Sequence, residues 1–385
     1  MDLSYIINEL GEEREHYFNA VVPPIIQTSN FSCPTVAAMR QALRLDSEIN
    51  SYTRGNTPTS TILEKKVAAL EGAEHALALG SGMAAVSAAV MAQVSAGDHI
   101  VCVQRPYSWT NTLMQKLLPR FGVETTMVDG TDPENFRREI RPNTKLLFLE
   151  SPNSFTFELQ DLGAVSQIAQ EHGLRTIIDN SYASPLFQQP LAFGIDIVVH
   201  SATKYIGGHS DTMGGIICSS HELITQIFRS EFMTLGGVLS PHDAWLLIRG
   251  LRTLPVRMER IARTTQEVVH YLQSHPKVAK VLFPFLPSHP QYALAQKQMR
   301  SNAGQFSILL QTENLEEVDR FCDSLRHFLL AASWGGHESL IYPVAASFRS
   351  PNYKSFLPVN LIRFYIGLEE ADYLIRDLEQ ALDTM

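Results

Sequence analysis

Apolar residues in the first half of the chain fall into short continuous runs separated by stretches at helical spacing. His75–Leu79, His99–Val103, Val123–Val128, Lys145–Glu150, Arg175–Asp179 and Asp196–His200 read as strands buried on both faces. Between them, Leu63, Val67 and Leu70 recur at helical spacing, predicting a helix from Thr61 through Leu70 with Thr59 or Ser60 as N-cap. Further helices are expected over Met83–Val94, Asn111–Phe121 and Leu162–His172. Such alternation predicts an α/β fold with a mostly parallel central sheet covered by helices. Upstream, the paired prolines of Val21–Ile26 favour an extended segment. Downstream, Gly236 to Arg252 reads as a long connection into an amphipathic helix with its arginines outward. Phe306–Leu310, Leu315–Leu325 and Leu361–Gly367 then read as strand, helix and strand, a smaller α+β C-terminal domain. The expected division is 1–54, 55–250 and 251–385.

Composition narrows the class. A chain of 385 residues, 45% of them hydrophobic, can build a sizeable soluble core. A net charge of −9 supplies no general field for phosphate backbones, so nucleic acid is not an expected partner. Asp2, Glu9, Glu12, Glu13, Arg14 and Glu15 interrupt the first twenty residues, which therefore resemble neither a signal peptide nor an anchor, and no later run has the length of a membrane span. Cys33, Cys102, Cys218 and Cys322 are scattered without ligand spacing. They are read as reduced thiols of a cytoplasmic protein with no metal site.

Candidate chemistry gathers where strands end. After Asp196–His200 come Ser201, Thr203 and Lys204, ahead of Gly207 and Gly208. A lysine poorly solvated at a strand end can lose its proton near neutrality and attack a carbonyl, while two hydroxyls beside it could hold a phosphate. That combination suits pyridoxal 5'-phosphate (PLP) held as a Schiff base; taken alone, Ser201–Lys204 reads first as a surface lysine in a polar turn. Asp179 ends the preceding strand, where its carboxylate could pair with a pyridinium nitrogen or could simply cap a turn. One crossover between adjacent parallel strands would bring Asp179 and Lys204 to the same rim. Gly80-Ser81-Gly82, between a strand and an alanine-rich helix, offers backbone amides to a phosphate, or merely permits tight packing. Tyr107 could stack on a planar ring or belong to the core. Tyr52 and Arg54, two apart in an extended segment, could close on one anion or lie exposed.

Jointly, Tyr52-Thr53-Arg54, Gly80–Ala85, Ile178-Asp179-Asn180 and Ser201–His209 resemble, in order and spacing, the cysteine and methionine metabolism family of fold-type I PLP enzymes. The resemblance runs over nearly the whole chain. It implies the fold-type I transferase-like architecture. Lys204 is then the Schiff-base lysine and the base for the substrate α-proton, with Tyr107 and Tyr52 also among the catalytic residues. Asp179 is implied to hold the ring nitrogen, Tyr107 to stack on the ring, and Gly82, Met83, Ser201 and Thr203 to hold the phosphate. Tyr52 and Arg54 would complete that site from a neighbouring subunit, implying a homo-oligomer built from dimers of active sites, usually a tetramer. Many members carry a Ser/Thr-x-Asn-Pro turn where this chain has Asn153-Ser154-Phe155, so the resemblance implies that the contact with the cofactor hydroxyl would fall to Ser154. The family arginine that forks the substrate α-carboxylate corresponds to Arg363.

Ser333-Trp334-Gly335-Gly336 looks like the motif of bacterial cystathionine β-lyases, whereas γ-active relatives usually place leucine at Trp334. Ser333 and Trp334 are thus expected beside the substrate. Ala332, Met233 and Gly55 depart from that subgroup, which tends to have tyrosine, tyrosine and arginine there. The resemblance implies a sulfur amino-acid substrate and β-elimination of L-cystathionine to L-homocysteine, pyruvate and ammonia. The readings beside it are a γ-lyase or γ-synthase and, in another class, a regulatory protein that retains cofactor without turnover.

Overall fold

The computed structural model describes residues 1–44, 49–347 and 357–385. Its larger sheet has seven strands: β1 (His75–Leu79), β2 (His99–Val103), β3 (Glu124–Val128), β4 (Thr144–Glu150), β5 (Arg175–Asp179), β6 (Ile197–Ser201) and β7 (Gly215–Ser219). Their order is β1-β7-β6-β5-β4-β2-β3, and all neighbours from β6 to β3 are parallel. Only β7 runs against its neighbours. The mostly parallel, doubly covered sheet expected from the alternation is therefore observed. β7 is an addition, hidden in the sequence because its five residues follow a polar, glycine-rich turn rather than a helix.

Each face of this sheet is sealed by its own apolar layer. Leu63, Val67, Leu162, Val165, Leu247 and Leu251 cover one face, from helices Pro58–Glu71, Leu162–His172 and Pro241–Ser274. Ala85, Val86, Ala89, Leu113, Leu118 and Ile227 cover the other. A second sheet has five strands in the order β10-β11-β12-β9-β8. These are β8 (Val278–Leu282), β9 (Gln305–Leu310), β10 (Leu329–Leu330), β11 (Leu340–Pro343) and β12 (Leu361–Tyr365). Helices Leu315–Ser324 and Ala371–Leu382 pack on it through Val318, Phe321, Leu374 and Leu378.

Several boundaries differ for identifiable reasons. The helix expected from Thr61 starts at Pro58, and its N-cap is Thr57 rather than Thr59 or Ser60. Proline suits the first helical position because its missing N–H has no partner there in any case. Ser60 completes a capping box, while Thr59 donates to the Pro24 carbonyl and accepts the Ile26 amide, tying down the extended Val21–Ile26 segment. The helix expected over Met83–Val94 runs from Gly82 to Met91. The connection expected over Gly236–Arg252 is largely helix. Ser240 caps it by accepting the Asp243 amide at 3.0 Å, and the helix continues for 34 residues through Pro255. Leu247, Ile248, Leu251 and Leu254, all buried at helical spacing, outweigh the hydrogen bond lost at the proline.

This long helix crosses the chain just after Lys204. Arg257 donates from Nη2 to the carbonyls of Tyr205 and Gly250, both at 2.8 Å, joining the helix to the Tyr205–Gly208 turn. At Gly250 a β-carbon would lie 2.2 Å from the Ile206 carbonyl oxygen and 2.4 Å from that of Gly207. Helix propensity alone would favour alanine at Gly250 by about 1 kcal/mol. The clash with two backbone oxygens reverses that sign, so Gly250→Ala should lose about 2 kcal/mol of stability. A lowered urea midpoint is expected; an unchanged or raised midpoint would show that the turn yields freely.

Candidate active site

The register of the larger sheet aligns four strand ends on one rim. Leu79 pairs with Gly215 and Gly215 with Ser201, while Asp179 pairs with Val199 on one side and Glu150 on the other. Chain leaving these ends supplies Ser81–Met83, Thr203, Lys204, Ser181 and Ser154. The second sheet contributes Arg363 from β12, and the loop before β11 contributes Ala332, Ser333 and Trp334. Together with Tyr107 they line a cavity of about 350 Å³. Function at carboxyl ends of strands is the general rule for such sheets.

Lys204 Nζ donates to Ser333 Oγ at 2.7 Å and lies 5.2 Å from the centre of the Trp334 ring. Burial pushes its pKa down to about 8, with the Arg363 charge adding to the effect and Asp179 opposing it. The following loop presses on its backbone: at Gly335, where φ is 90°, a β-carbon would fall 2.8 Å from Lys204 Cα. Asp179 accepts the Ser181 amide at 2.9 Å, and burial raises its pKa above the ordinary carboxylate range. Glu150, its register partner, is pushed up to about 7 by burial and by the Asp179 charge. It accepts the Tyr107 amide at 2.6 Å and both the amide and hydroxyl of Ser154 at 2.9 Å. Tyr107 keeps its phenol proton at neutral pH, because burial and the two carboxylates raise its pKa.

At the far end of the cavity begins the helix Gly82–Met91. Ser81 accepts the Ala84 amide on Oγ and the Ala85 amide on its carbonyl, and the amides of Gly82 and Met83 have no hydrogen-bond partner among the described residues. The Ser201 side chain packs against Gly82, and its hydroxyl has no hydrogen-bond partner among the described residues. Thr203 instead holds the Gly214 backbone through its hydroxyl.

Comparison with known proteins places this site in context. The family model described as Cys/Met metabolism PLP-dependent enzyme matches residues 5–383. The chain belongs to this family. It is 38% identical to an L-methionine gamma-lyase of Treponema denticola, over 96% of this chain and 94% of that one. It is 38% identical to the cystathionine gamma-lyase of Bacillus subtilis, over 97% of each. It is 39% identical to the cystathionine beta-lyase of Bacillus subtilis, over 86% of this chain and 85% of that one. The crystal structure of metB from Corynebacterium glutamicum superposes with a TM-score of 0.93 at 34% identity, covering 100% and 98% of the two chains. The fold-type I architecture and the PLP cofactor follow for this family member.

The residues present fit that cofactor. A phosphate suits the unclaimed amides of Gly82 and Met83 beside the Ser201 hydroxyl, where the helix dipole favours negative charge. A half-buried carboxylate at Asp179 and a half-buried amine at Lys204, both lining the cavity, match a protonated ring nitrogen and an aldehyde. Of the residues singled out in the sequence, Gly82, Met83, Tyr107, Ser154, Asp179, Ser201, Thr203, Lys204, Ser333, Trp334 and Arg363 line one cavity. Tyr52 and Arg54 do not reach it within this chain. Tyr52 is 49% exposed, with the Arg54 guanidinium 5.2 Å from the centre of its ring. Glu150 was not singled out. Its signal was the one that marked Asp179, an ionisable residue closing a continuous apolar strand.

A pKa near 8 makes the free Lys204 amine scarce below that pH and dominant above it. The rate at which apoprotein takes up PLP should therefore rise through an apparent pKa of about 8. Stopped-flow reconstitution between pH 6.5 and 9.5 checks this; a rate that climbs only near pH 10 would mean an ordinarily solvated lysine.

Proposed function

We propose that this PLP-dependent carbon–sulfur lyase family member cleaves L-cystathionine by β-elimination, releasing L-homocysteine, pyruvate and ammonia. The observation that carries this reading is the seat of the Lys204 amine, hydrogen-bonded to Ser333 and bounded by the Trp334 ring 5.2 Å away. A base confined in this way suits a single proton removal at the α-carbon. γ-Elimination needs a second removal at the β-carbon, and thus more freedom for the amine.

In this reading Arg363 binds the substrate α-carboxylate; no carboxylate of the chain pairs with it among the described residues. PLP, when bound, supplies an electron sink for the pair left at the α-carbon. Asp179 keeps a proton on the ring nitrogen, Tyr107 covers the ring, and Ser154, held by Glu150, sits beside it. Lys204 takes the α-proton. The bond from the β-carbon to sulfur then breaks, sulfur leaves as thiolate, and water converts the three-carbon remainder to pyruvate and ammonia. Tyr107, which retains its proton at neutral pH, is a donor available to the leaving sulfur.

γ-Elimination is the second reading. Ala332 leaves open space beside Ser333, and the relatives named as methionine and cystathionine gamma-lyases match over nearly the full chain. Product analysis separates the two: pyruvate with homocysteine from L-cystathionine supports β, whereas 2-oxobutyrate with cysteine supports γ. Lys204→Ala should abolish turnover and the visible absorbance of bound cofactor; unchanged activity in that variant would contradict the mechanism.

The active unit in this proposal is a dimer, doubled to a tetramer as a dimer of dimers, located in the cytoplasm. Phe18, Val21, Val36, Met39 and Leu43 of the N-terminal segment are all more than half exposed, an apolar surface suited to a second copy. That copy would receive Tyr52 and Arg54 at its phosphate end. Mixing inactive Arg54→Ala and Lys204→Ala subunits under exchange conditions should restore activity, since each hybrid carries one complete site. No recovery after verified exchange would place Arg54 outside the partner's site.

A further inference from the structure

Arg363 is 7% exposed yet has no carboxylate partner among the described residues, so its charge must be compensated otherwise. Two aromatic rings do this. The guanidinium carbon lies 5.1 Å from the centre of the Phe155 ring and 5.4 Å from that of Tyr342. The rings meet each other edge to face at 5.5 Å and 69°. Tyr342 is the register partner of Arg363 across β11 and β12, so the two side chains leave the same face of the second sheet. Phe155 comes from the other lobe, in the loop after β4. Arg363 Nη2 donates to the carbonyls of Ala332 and Ser333 at 3.1 and 3.3 Å. Nε and Nη1 make no hydrogen bond among the described residues, so part of the guanidinium fork stays available.

The position of Phe155 is itself maintained against resistance. Its φ of 67° lies in the left-handed region, unfavourable for a bulky aromatic residue. Neighbouring hydrogen bonds hold the loop there: Glu150 takes Ser154, while the Asn153 side chain accepts the Glu158 amide at 3.0 Å and the Thr156 hydroxyl at 2.9 Å. Tyr342 is steadied by a 2.9 Å bond between its hydroxyl and that of Ser347. Such bracing is expected where a ring has a task beyond filling space.

We infer that Phe155 and Tyr342 are positioning residues for substrate binding, a two-ring clamp, one ring from each lobe, that orients the Arg363 fork toward the α-carboxylate. The ring quadrupoles favour the guanidinium charge without consuming its N–H groups, which a carboxylate partner would occupy. This inference rests on the reading of Arg363 as the carboxylate-binding residue.

The test compares dissociation constants of L-alanine and L-alaninamide for the PLP holoenzyme, read from the change in cofactor absorbance. Both ligands carry the α-amine and neither has a β leaving group; only alanine has the carboxylate. Phe155→Leu keeps the same unfavourable φ and removes the ring. It should weaken alanine about tenfold while leaving alaninamide within about twofold. Tyr342→Leu should act in the same way, whereas Phe155→Tyr and Tyr342→Phe, which keep a ring, should restore alanine binding. Arg363→Leu, which removes the charge, is the control for the underlying reading. If it preserves the preference for alanine, Arg363 does not bind the carboxylate and both ideas fall. If it abolishes the preference while Phe155→Leu and Tyr342→Leu retain it, the clamp alone is refuted. Equal weakening of both ligands in the leucine variants would reduce the rings to a structural role and would likewise overturn the proposal.

Discussion

An amine only partly solvated is the constraint on which the site depends. Lys204 sits between the carboxylate of Asp179, which favours its charged form, and the guanidinium of Arg363, which disfavours it, while burial tips the balance toward neutrality. Such a balance holds only if the backbone carrying the amine cannot drift, because interactions of this kind change steeply with distance in a poorly solvated cavity. The turn after Lys204 is accordingly pinned from two sides. Arg257 of the long helix donates to the Tyr205 carbonyl, Gly250 packs closely on those of Ile206 and Gly207, and Gly335 closes on Lys204 itself. No side chain fits at Gly250 or Gly335 without moving that backbone.

The distribution of charge in the cavity follows the same logic. Glu150 and Asp179 stand side by side on adjacent parallel strands, and the Asp179 charge adds to burial in raising the Glu150 pKa, whereas burial is what raises that of Asp179. Glu150 is nevertheless well supplied with donors, two amides and a hydroxyl, and through them it fixes the Tyr107 and Ser154 segments relative to Asp179. A single carboxylate thereby organises both loops that border the candidate ring site. On the opposite lobe Arg363 is balanced by carbonyl dipoles and ring faces instead. The two lobes thus present complementary ends, acidic from the larger sheet and cationic from the smaller.

Relatives at similar identity bear beta-lyase and gamma-lyase names, so overall likeness does not separate these reactions. Both reactions begin with loss of the α-proton and differ in where the base goes next. Under the proposed mechanism, discrimination falls to the few groups around the Lys204 amine, chiefly Ser333 and Trp334, and to the space that Ala332 leaves beside them. Those groups lie in a loop of the smaller lobe, separate from the Ser81–Met83 turn and Ser201, which belong to the larger sheet.

The sequence by itself determined the larger sheet, because continuous apolar strands alternating with helices admit few other arrangements, and it marked Asp179 and Lys204 as strand-end residues on a common rim. Local chemistry was less reliable where two signals competed. Pro58 moved a helix start ahead of Thr61, with Thr57 as its cap, and Ser240 began a helix where a connection was expected. Only the tertiary structure decided that β7 runs antiparallel between β1 and β6, that Glu150 faces Asp179, and that Phe155 and Tyr342 enclose Arg363 from opposite lobes. The reason is that periodicity reports which face of an element is buried, whereas these contacts join residues far apart in sequence. Their partners are set by strand register and by how the lobes close, neither of which leaves a local trace.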